Sequence, residues 1–214
     1  MSAAQIVVIA KEPVAGRVKT RLTPPFTPVQ AACLAAAALR DTLHAVAATR
    51  VCRRVLALEG LPGIWLPGGF TVIPQRGDGL DQRLASAFHD AHRLYRLPVI
   101  LIGMDTPQVT PGLLDTAVTL LAAHDAVYGP ASDGGFWLLG LRHPDPSLLL
   151  GVTMSRRTTG ATQLRRLHEA GLDVAHMPEL DDVDIASDAF HVAAQAPGSR
   201  FAEALAVIEA VASR

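Results

Sequence analysis

Two hydrophobic rhythms alternate along the 214-residue chain. Short apolar-rich runs predict strands: QIVVIA (5–10), VCRRVLAL (51–58), TVIPQ (71–75), LPVILIG (97–103), DAVYGPA (125–131), GFWLLGL (135–141) and LDVAHM (172–177). Longer stretches with apolar residues at helical spacing predict helices over 27–48, 80–95, 111–123 and 159–170, with one or two more after an acidic turn. Thr27 before Pro28 and Thr110 before Pro111 mark helix starts, because a threonine oxygen can accept an orphan backbone N–H and proline has none to leave unpaired. LPVILIG offers apolar side chains to both faces, as a central parallel strand covered on both sides requires. The alternation implies a doubly wound α/β sheet, and a Gly/Pro-rich break at 60–69 separates the second and third strands. No internal repeat, heptad array or low-complexity tail interrupts this order.

Half the residues are hydrophobic and 18% charged, enough for one domain spanning 1–214 with a substantial core. Only 5% are aromatic, so that core is expected from Ala, Val, Leu and Ile. A net charge of −1 argues against an extended nucleic-acid surface. Cys33 and Cys52 have neither zinc-site spacing nor disulfide density, and are expected as buried thiols. The start carries no basic leader, and no run is expected to reach the ~20 apolar residues of a membrane span. A cytoplasmic enzyme is the resulting expectation.

Against this neutral balance, KEPVAGRVKTRL (11–22) gathers Lys11, Arg17, Lys19 and Arg21 around Gly16 in the connection after the first strand. Clustered cations repel unless an anion is expected, and the carboxyl edge of an open α/β sheet is where such ligands bind. The segment lacks both P-loop spacing and a G-x-G-x-x-G fingerprint. It resembles the K-x-P-x-x-G-x-V-K-T-R-L opening of the bacterial DUF2064 family, which is glycosyltransferase-like or nucleotide-diphospho-sugar transferase-like and related in pattern to MobA/CofC-type nucleotidyltransferases. The resemblance implies a three-layer α/β/α GT-A fold, Rossmann-like with a mostly parallel central sheet. It also implies a nucleotide or sugar-nucleotide donor, a small-molecule acceptor, and phosphate binding by the cations of this loop, with Arg17 and Lys19 in catalytic roles.

Further motifs extend the resemblance. GMDTP (103–107) places Asp105 at the end of the most buried strand and is similar to the Asp-x-Pro metal position of sugar-nucleotide and molybdenum-cofactor nucleotidyltransferases. LDDVDIASD (180–188) resembles the family's D-V-D-T-P-E-D-L, with Ile185 and Ala186 replacing Thr and Pro, and implies Asp184 as second metal ligand, with Asp182 as its neighbour. Hard oxygen donors suit Mg²⁺ or Mn²⁺. Two carboxylates about 4 Å apart repel by roughly 4 kcal/mol at an effective dielectric of 20, so convergence of Asp105 and Asp184 would require a cation. The bland readings are that Asp105 caps a turn and that the acidic run caps a helix.

GPASDGGFWLLGL (129–141) resembles the family's G-P-A-x-D-G-G-Y-x-L-I-G-L, making Asp133, Gly134 and Gly135 candidates for acceptor binding, or alternatively the turn of a hairpin. Phe136 and Trp137 read as packing residues. QRGDGLDQRL (75–84) offers Gln75, Asp78 and Arg83 for the base or ribose, unless Arg83 only lies on a solvated helix face. SRRTTGATQLRR (155–166) sets Arg156 and Arg157 before a helix start, an anion site for a phosphorylated acceptor or merely an exposed turn. The eight histidines are scattered, and no G-x-S-x-G elbow occurs, so zinc and acyl-hydrolase chemistry are set aside. The preferred expectation is a metal-dependent nucleotidyltransferase that attacks an NTP α-phosphate and releases pyrophosphate. The alternatives are a glycosyltransferase using an NDP-sugar and a non-catalytic nucleotide-binding module.

Overall fold

The computed structural model describes residues 2–212. Its frame is a seven-stranded sheet built from β1 (Ser2–Lys11), β2 (Val51–Glu59), β3 (Thr71–Pro74), β4 (Val99–Ile102), β5 (Ala126–Pro130), β6 (Phe136–Leu141) and β7 (Val174–His176), in the order β3-β2-β1-β4-β6-β5-β7. All neighbours run parallel except β6, which is antiparallel to both β4 and β5. The reversal follows from chain length: a short connection can return only as a hairpin, whereas parallel neighbours need a long crossover. Because β6 runs backwards, its first residue lies at the same edge as the last residues of β1, β2, β4 and β5. That edge collects every chemistry-bearing loop.

Helices α1 (Pro28–Ala48) and α3 (Pro111–Ala123) cover one face of the sheet. The other face is covered by α2 (Leu80–Tyr95) and α4 (Thr159–Glu169). A third apolar cluster joins the outer side of α1 to α5 (Ala186–Gln195) and α6 (Arg200–Ala212). β4 is buried throughout, as its two-sided apolar pattern demands. Both predicted caps form. Thr27 Oγ1 accepts the Gln30 N–H while Gln30 Oε1 accepts the Thr27 N–H, and Thr110 Oγ1 accepts the Leu113 N–H. Each such cap contributes about 1 kcal/mol.

Two expectations are corrected. Cys33 is exposed and Cys52 only partly buried, where both were expected to be buried; α1 buries two adjoining stripes and leaves Cys33, Arg40 and His44 on the remaining face. In addition, α1 is 21 residues long and apolar enough, by length and composition, to cross a membrane. Its apolar character is explained by the sheet on one side and α6 on the other.

Candidate functional site

A cavity of about 810 Å³ opens at the carboxyl edge of the sheet, walled by the 11–22 loop, the ends of β4 and β5, the start of β6, the 154–159 segment and the acidic run. Seven cations line it (Lys11, Arg17, Lys19, Arg21, Arg83, Arg156 and Arg157) together with four carboxylates (Asp105, Asp133, Asp182 and Asp184). Gln75 and Gly135 line it as well, whereas Gly16, Asp78 and Gly134 do not.

Lys19 is the hinge of the charge arrangement. It sits in a left-handed conformation (φ 49°) at the start of a short 3-10 turn, which swings its side chain inward until only 10% is exposed. Its ammonium donates to the Val183 carbonyl and lies 3.0 Å from Asp105 Oδ1 and 3.4 Å from Asp184 Oδ1. Burial pushes the Lys19 ammonium down, but Asp105 and Asp184 together outweigh it and hold the group above its ordinary value. Arg21 adds a 2.9 Å ion pair to Asp184 Oδ2. Lys19 thus places a positive charge against both Asp105 and Asp184. The 3.0 Å contact is ionic rather than a well-aligned hydrogen bond, so the buried Asp105 Oδ1 keeps unused acceptor capacity.

The acidic run reaches the site because it is stitched to two strand ends. Val183 N–H donates to Asp105 O, Leu180 N–H to Pro130 O, and Ser132 N–H to Leu180 O. Capping falls to Asp188, whose Oδ2 accepts the N–H groups of Asp184 and Ile185. Asp182 and Asp184 are thereby left to face the cavity. Carboxylate oxygens of Asp133, Asp182 and Asp184 lie within 4.8 Å of one another. Burial, and then the Asp133 and Asp184 carboxylates, raise Asp182 to about 6, with Lys19 pulling weakly the other way. This is the signature of an anionic group short of positive charge.

The β5–β6 connection is a hairpin, as one reading had it, and its tip also borders the cavity. Asp133 Oδ1 accepts the Gly135 N–H at 2.6 Å and fixes the turn. Gly134 (φ +90°) does not serve ligand approach: a Cβ there would lie 2.2 Å from the Arg157 carbonyl oxygen, so the position is glycine because two protein loops touch. On the far side, Gly160 donates its N–H to Gly134 O. Tyr128 donates to the Gly135 carbonyl; burial, with the Asp133 charge second, pushes its phenol up to about 12, so it stays a neutral donor. Trp137 packs as expected and donates to Pro178 O, while Phe136 is only half-buried and lines the cavity.

The base- and ribose-directed candidates separate. Gln75 spends its amide donors on the Ala10 and Ala57 carbonyls, at 2.7 and 3.0 Å. Asp78 lies outside the cavity, its backbone N–H bound to Gln82 Oε1. Arg83 is not a free helix-face cation, because it pairs with Glu59. Glu59, which sequence reasoning missed, also holds Lys11 Nζ at 3.3 Å; burial would raise this carboxyl, but Lys11 and Arg83 prevail and hold it below its ordinary value. It lies one residue beyond the predicted end of the second strand, at the edge where function was expected. Its position was the signal.

A family model described as an uncharacterized protein conserved in bacteria, DUF2064, matches residues 33–156, more than half of the chain. The chain belongs to this family. The match contains Asp105, Asp133 and Arg156 but neither the 11–22 loop nor the acidic run. A 2-phospho-L-lactate guanylyltransferase from Natrialba magadii is 31% identical over 140 residues, covering 59% of this chain; the chain spans 58% of that protein's length. The crystal structure of a presumed nucleotide-diphospho-sugar transferase from Desulfovibrio desulfuricans superposes with a TM-score of 0.88 at 26% identity, covering 98% of this chain and 96% of that one. The 2-C-methyl-D-erythritol 4-phosphate cytidylyltransferase of Thermus thermophilus shares the fold, with a TM-score of 0.55 at 16% identity over 92% of this chain and all of its own.

Proposed function

We propose that the protein is a divalent-metal-dependent nucleotidyltransferase, in which an oxygen of a small acceptor attacks the α-phosphorus of a nucleoside triphosphate. A new phosphorus–oxygen bond forms in line with the breaking bond to the β-phosphate, and pyrophosphate departs. The observation that carries this reading is the concentration of seven cations and four carboxylates around one cavity in a chain of net charge −1. Arg17 and Lys19 neutralise the departing pyrophosphate, Lys11 and Arg21 steer the donor phosphates, and Gly16 (φ +76°) makes the turn that brings them round. Gln75 and Arg83, which also line the cavity, are assigned to the ribose or base. The rate then arises from positioning and electrostatics without a covalent enzyme intermediate.

The donor set fits Mg²⁺ or Mn²⁺. Asp133, Asp182 and Asp184 offer three converging oxygens, and Asp105 Oδ1 is buried with spare acceptor capacity. An ion bound there supplies charge neutralisation for phosphate oxygens. The guanylyltransferase relative and the cytidylyltransferase fold support nucleotidyl transfer. The Desulfovibrio neighbour favours a second reading, transfer of a sugar from an NDP-sugar through the same donor site.

Thermal-shift screening against nucleoside triphosphates and sugar nucleotides, each with Mg²⁺ or EDTA, tests donor and metal without knowledge of the acceptor, because a ligand at 100 times its Kd stabilises by about 2.7 kcal/mol. Acceptor screening then reads the product. Pyrophosphate from an NTP supports the proposal, and NDP from an NDP-sugar replaces it with the second reading. Nucleotide affinity indifferent to both Mg²⁺ and Asp105→Ala would leave only a binding module.

A further inference from the structure

The cations of the cavity fall into two groups once their partners are assigned. Lys19 and Arg21 pair with Asp105 and Asp184, and Lys11 and Arg83 pair with Glu59. Arg17, Arg156 and Arg157 make no ion pair among the described residues, although all three line the cavity, and of these Arg17 belongs to the donor loop after β1. Nor do Asp133 and these arginines approach within ion-pair distance, despite the adjacency of their loops. Arg156 and Arg157 are consecutive residues that both border this space, and a guanidinium presents a donor fork that matches carboxylate or phosphate oxygens.

Their loop is held, not loose. Gly160 N–H donates to Gly134 O at 2.8 Å, Thr159 Oγ1 accepts the Arg156 N–H at 3.0 Å, and Thr159 donates its hydroxyl to Thr153 O at 2.9 Å. The first amides of α4 are thereby consumed: Thr159 N–H goes to Arg156 O and Gly160 N–H to Gly134. The helix start contributes few free donors, so recognition rests on the two side chains. Thr106, 2% exposed with an unpartnered hydroxyl, borders the same cavity.

The strand order separates this pair from the donor loop. Arg17 and Lys19 follow β1, while Arg156 and Arg157 lean on the hairpin after β5, three places away in the sheet. At about 4.8 Å per strand, the roots of the two walls lie on the order of 14 Å apart.

We infer that Arg156 and Arg157 form a second anion subsite that selects and orients an acceptor carrying a phosphate or carboxylate group. This assignment rests on the nucleotidyltransferase reading for the word acceptor; the anion site itself does not.

Calorimetric titration of inorganic phosphate and, separately, malonate into protein saturated with Mg²⁺ and a non-hydrolysable triphosphate tests it, comparing wild type with the Arg156→Ala/Arg157→Ala double variant. Both side chains are exposed, and a melting curve confirms that the variant folds. We expect the double variant to lose at least tenfold in affinity for the bound anion while its triphosphate affinity stays within twofold. Binding of phosphate alone identifies a phosphomonoester acceptor, and binding of malonate alone a carboxylate one. Unchanged anion affinity in the variant, no anion binding by wild type, or an equal loss of triphosphate affinity overturns the subsite. If wild type binds no triphosphate, the functional reading fails, and the same titration without nucleotide still decides the arginine site.

Discussion

The Lys19 cluster and the Arg156–Arg157 loop border one cavity but treat charge in opposite ways. Around Lys19, each carboxylate already has a cation: Asp105 has Lys19, and Asp184 has both Lys19 and Arg21. At the other wall Arg156 and Arg157 make no ion pair with a carboxylate among the described residues. A neutralised cluster can hold its geometry in the absence of ligand. An uncompensated one raises the energy of the ligand-free state and lowers the relative energy of the bound state. The comparison assigns different work to groups of the same charge: the Lys19 cluster keeps the catalytic end in shape, and the second wall discriminates what enters.

The most damaging way to break the comparison is to remove a member of the neutralised cluster. Asp105→Ala is expected to abolish turnover and metal-assisted nucleotide binding, and Lys19→Ala to lower the rate by ~10²-fold or more, the scale of deleting one preorganised transition-state donor. Lys19→Ala also leaves Asp105 and Asp184 facing each other. Because both carboxylates are 37% exposed, the stability loss should be on the order of 1–2 kcal/mol, below the 3–5 kcal/mol of a fully buried pair. Melting curves with and without Mg²⁺ check this: the ion should restore more stability to Lys19→Ala than it adds to wild type. Equal metal responses would mean that Lys19 is not the counter-cation.

Next in size is a glycine pair. Gly134→Ala drives a Cβ to 2.2 Å from the Arg157 carbonyl oxygen at φ +90°, whereas Gly16→Ala has the same backbone problem, at φ +76°, with nothing within 4 Å. Gly16→Ala should cost about 1–2 kcal/mol, the left-handed penalty alone. Gly134→Ala should exceed it, on the order of 2–3 kcal/mol, because backbone must move from backbone. It should also weaken phosphate binding while sparing the triphosphate, since it pushes the Arg156–Arg157 loop away from its seat. Equal destabilisation of the two variants would show that the hairpin tip yields without disturbing that wall.

How far the sequence reached depends on what each residue's role requires. Helix starts were legible to the residue because Thr27–Pro28 and Thr110–Pro111 are local chemistry, complete within one turn. β4 was legible because burial on both faces leaves no polar position in VILI. The placing of Asp105 and the 11–22 loop at one edge was legible through the carboxyl-edge rule, and that of Asp184 through the family resemblance of the acidic run. What the cations do there was not. An ion pair across 165 residues, such as Lys19–Asp184, leaves no mark in either segment, so the ammonium that reaches Asp105 and Asp184 was not foreseen. The Gly134–Arg157 contact was hidden for the same reason.

The smallest expected effect concerns the third charged group, in which Glu59 holds Lys11 and Arg83. Lys11 and Arg83 keep this carboxyl below its ordinary 4.5 despite the opposing effect of burial. An acid lowered in the folded state contributes stability that is present above its unfolded value and lost as pH falls through the folded one. Wild type should therefore lose stability below about pH 4.5 more steeply than Glu59→Gln, whose amide cannot be protonated in this range, while the two converge in slope near pH 7. Lys11 is about half exposed, so the difference should stay under about 1 kcal/mol. Denaturant midpoints at pH 3.5 and 7 measure it, and parallel pH profiles for the two proteins would show that Glu59 is merely near these cations and does not hold them. Glu59→Gln also frees Lys11 and Arg83, so tighter triphosphate binding by this variant at pH 7 would mark that pair as a reserve of donor-site charge, and unchanged binding would mark it as scaffold.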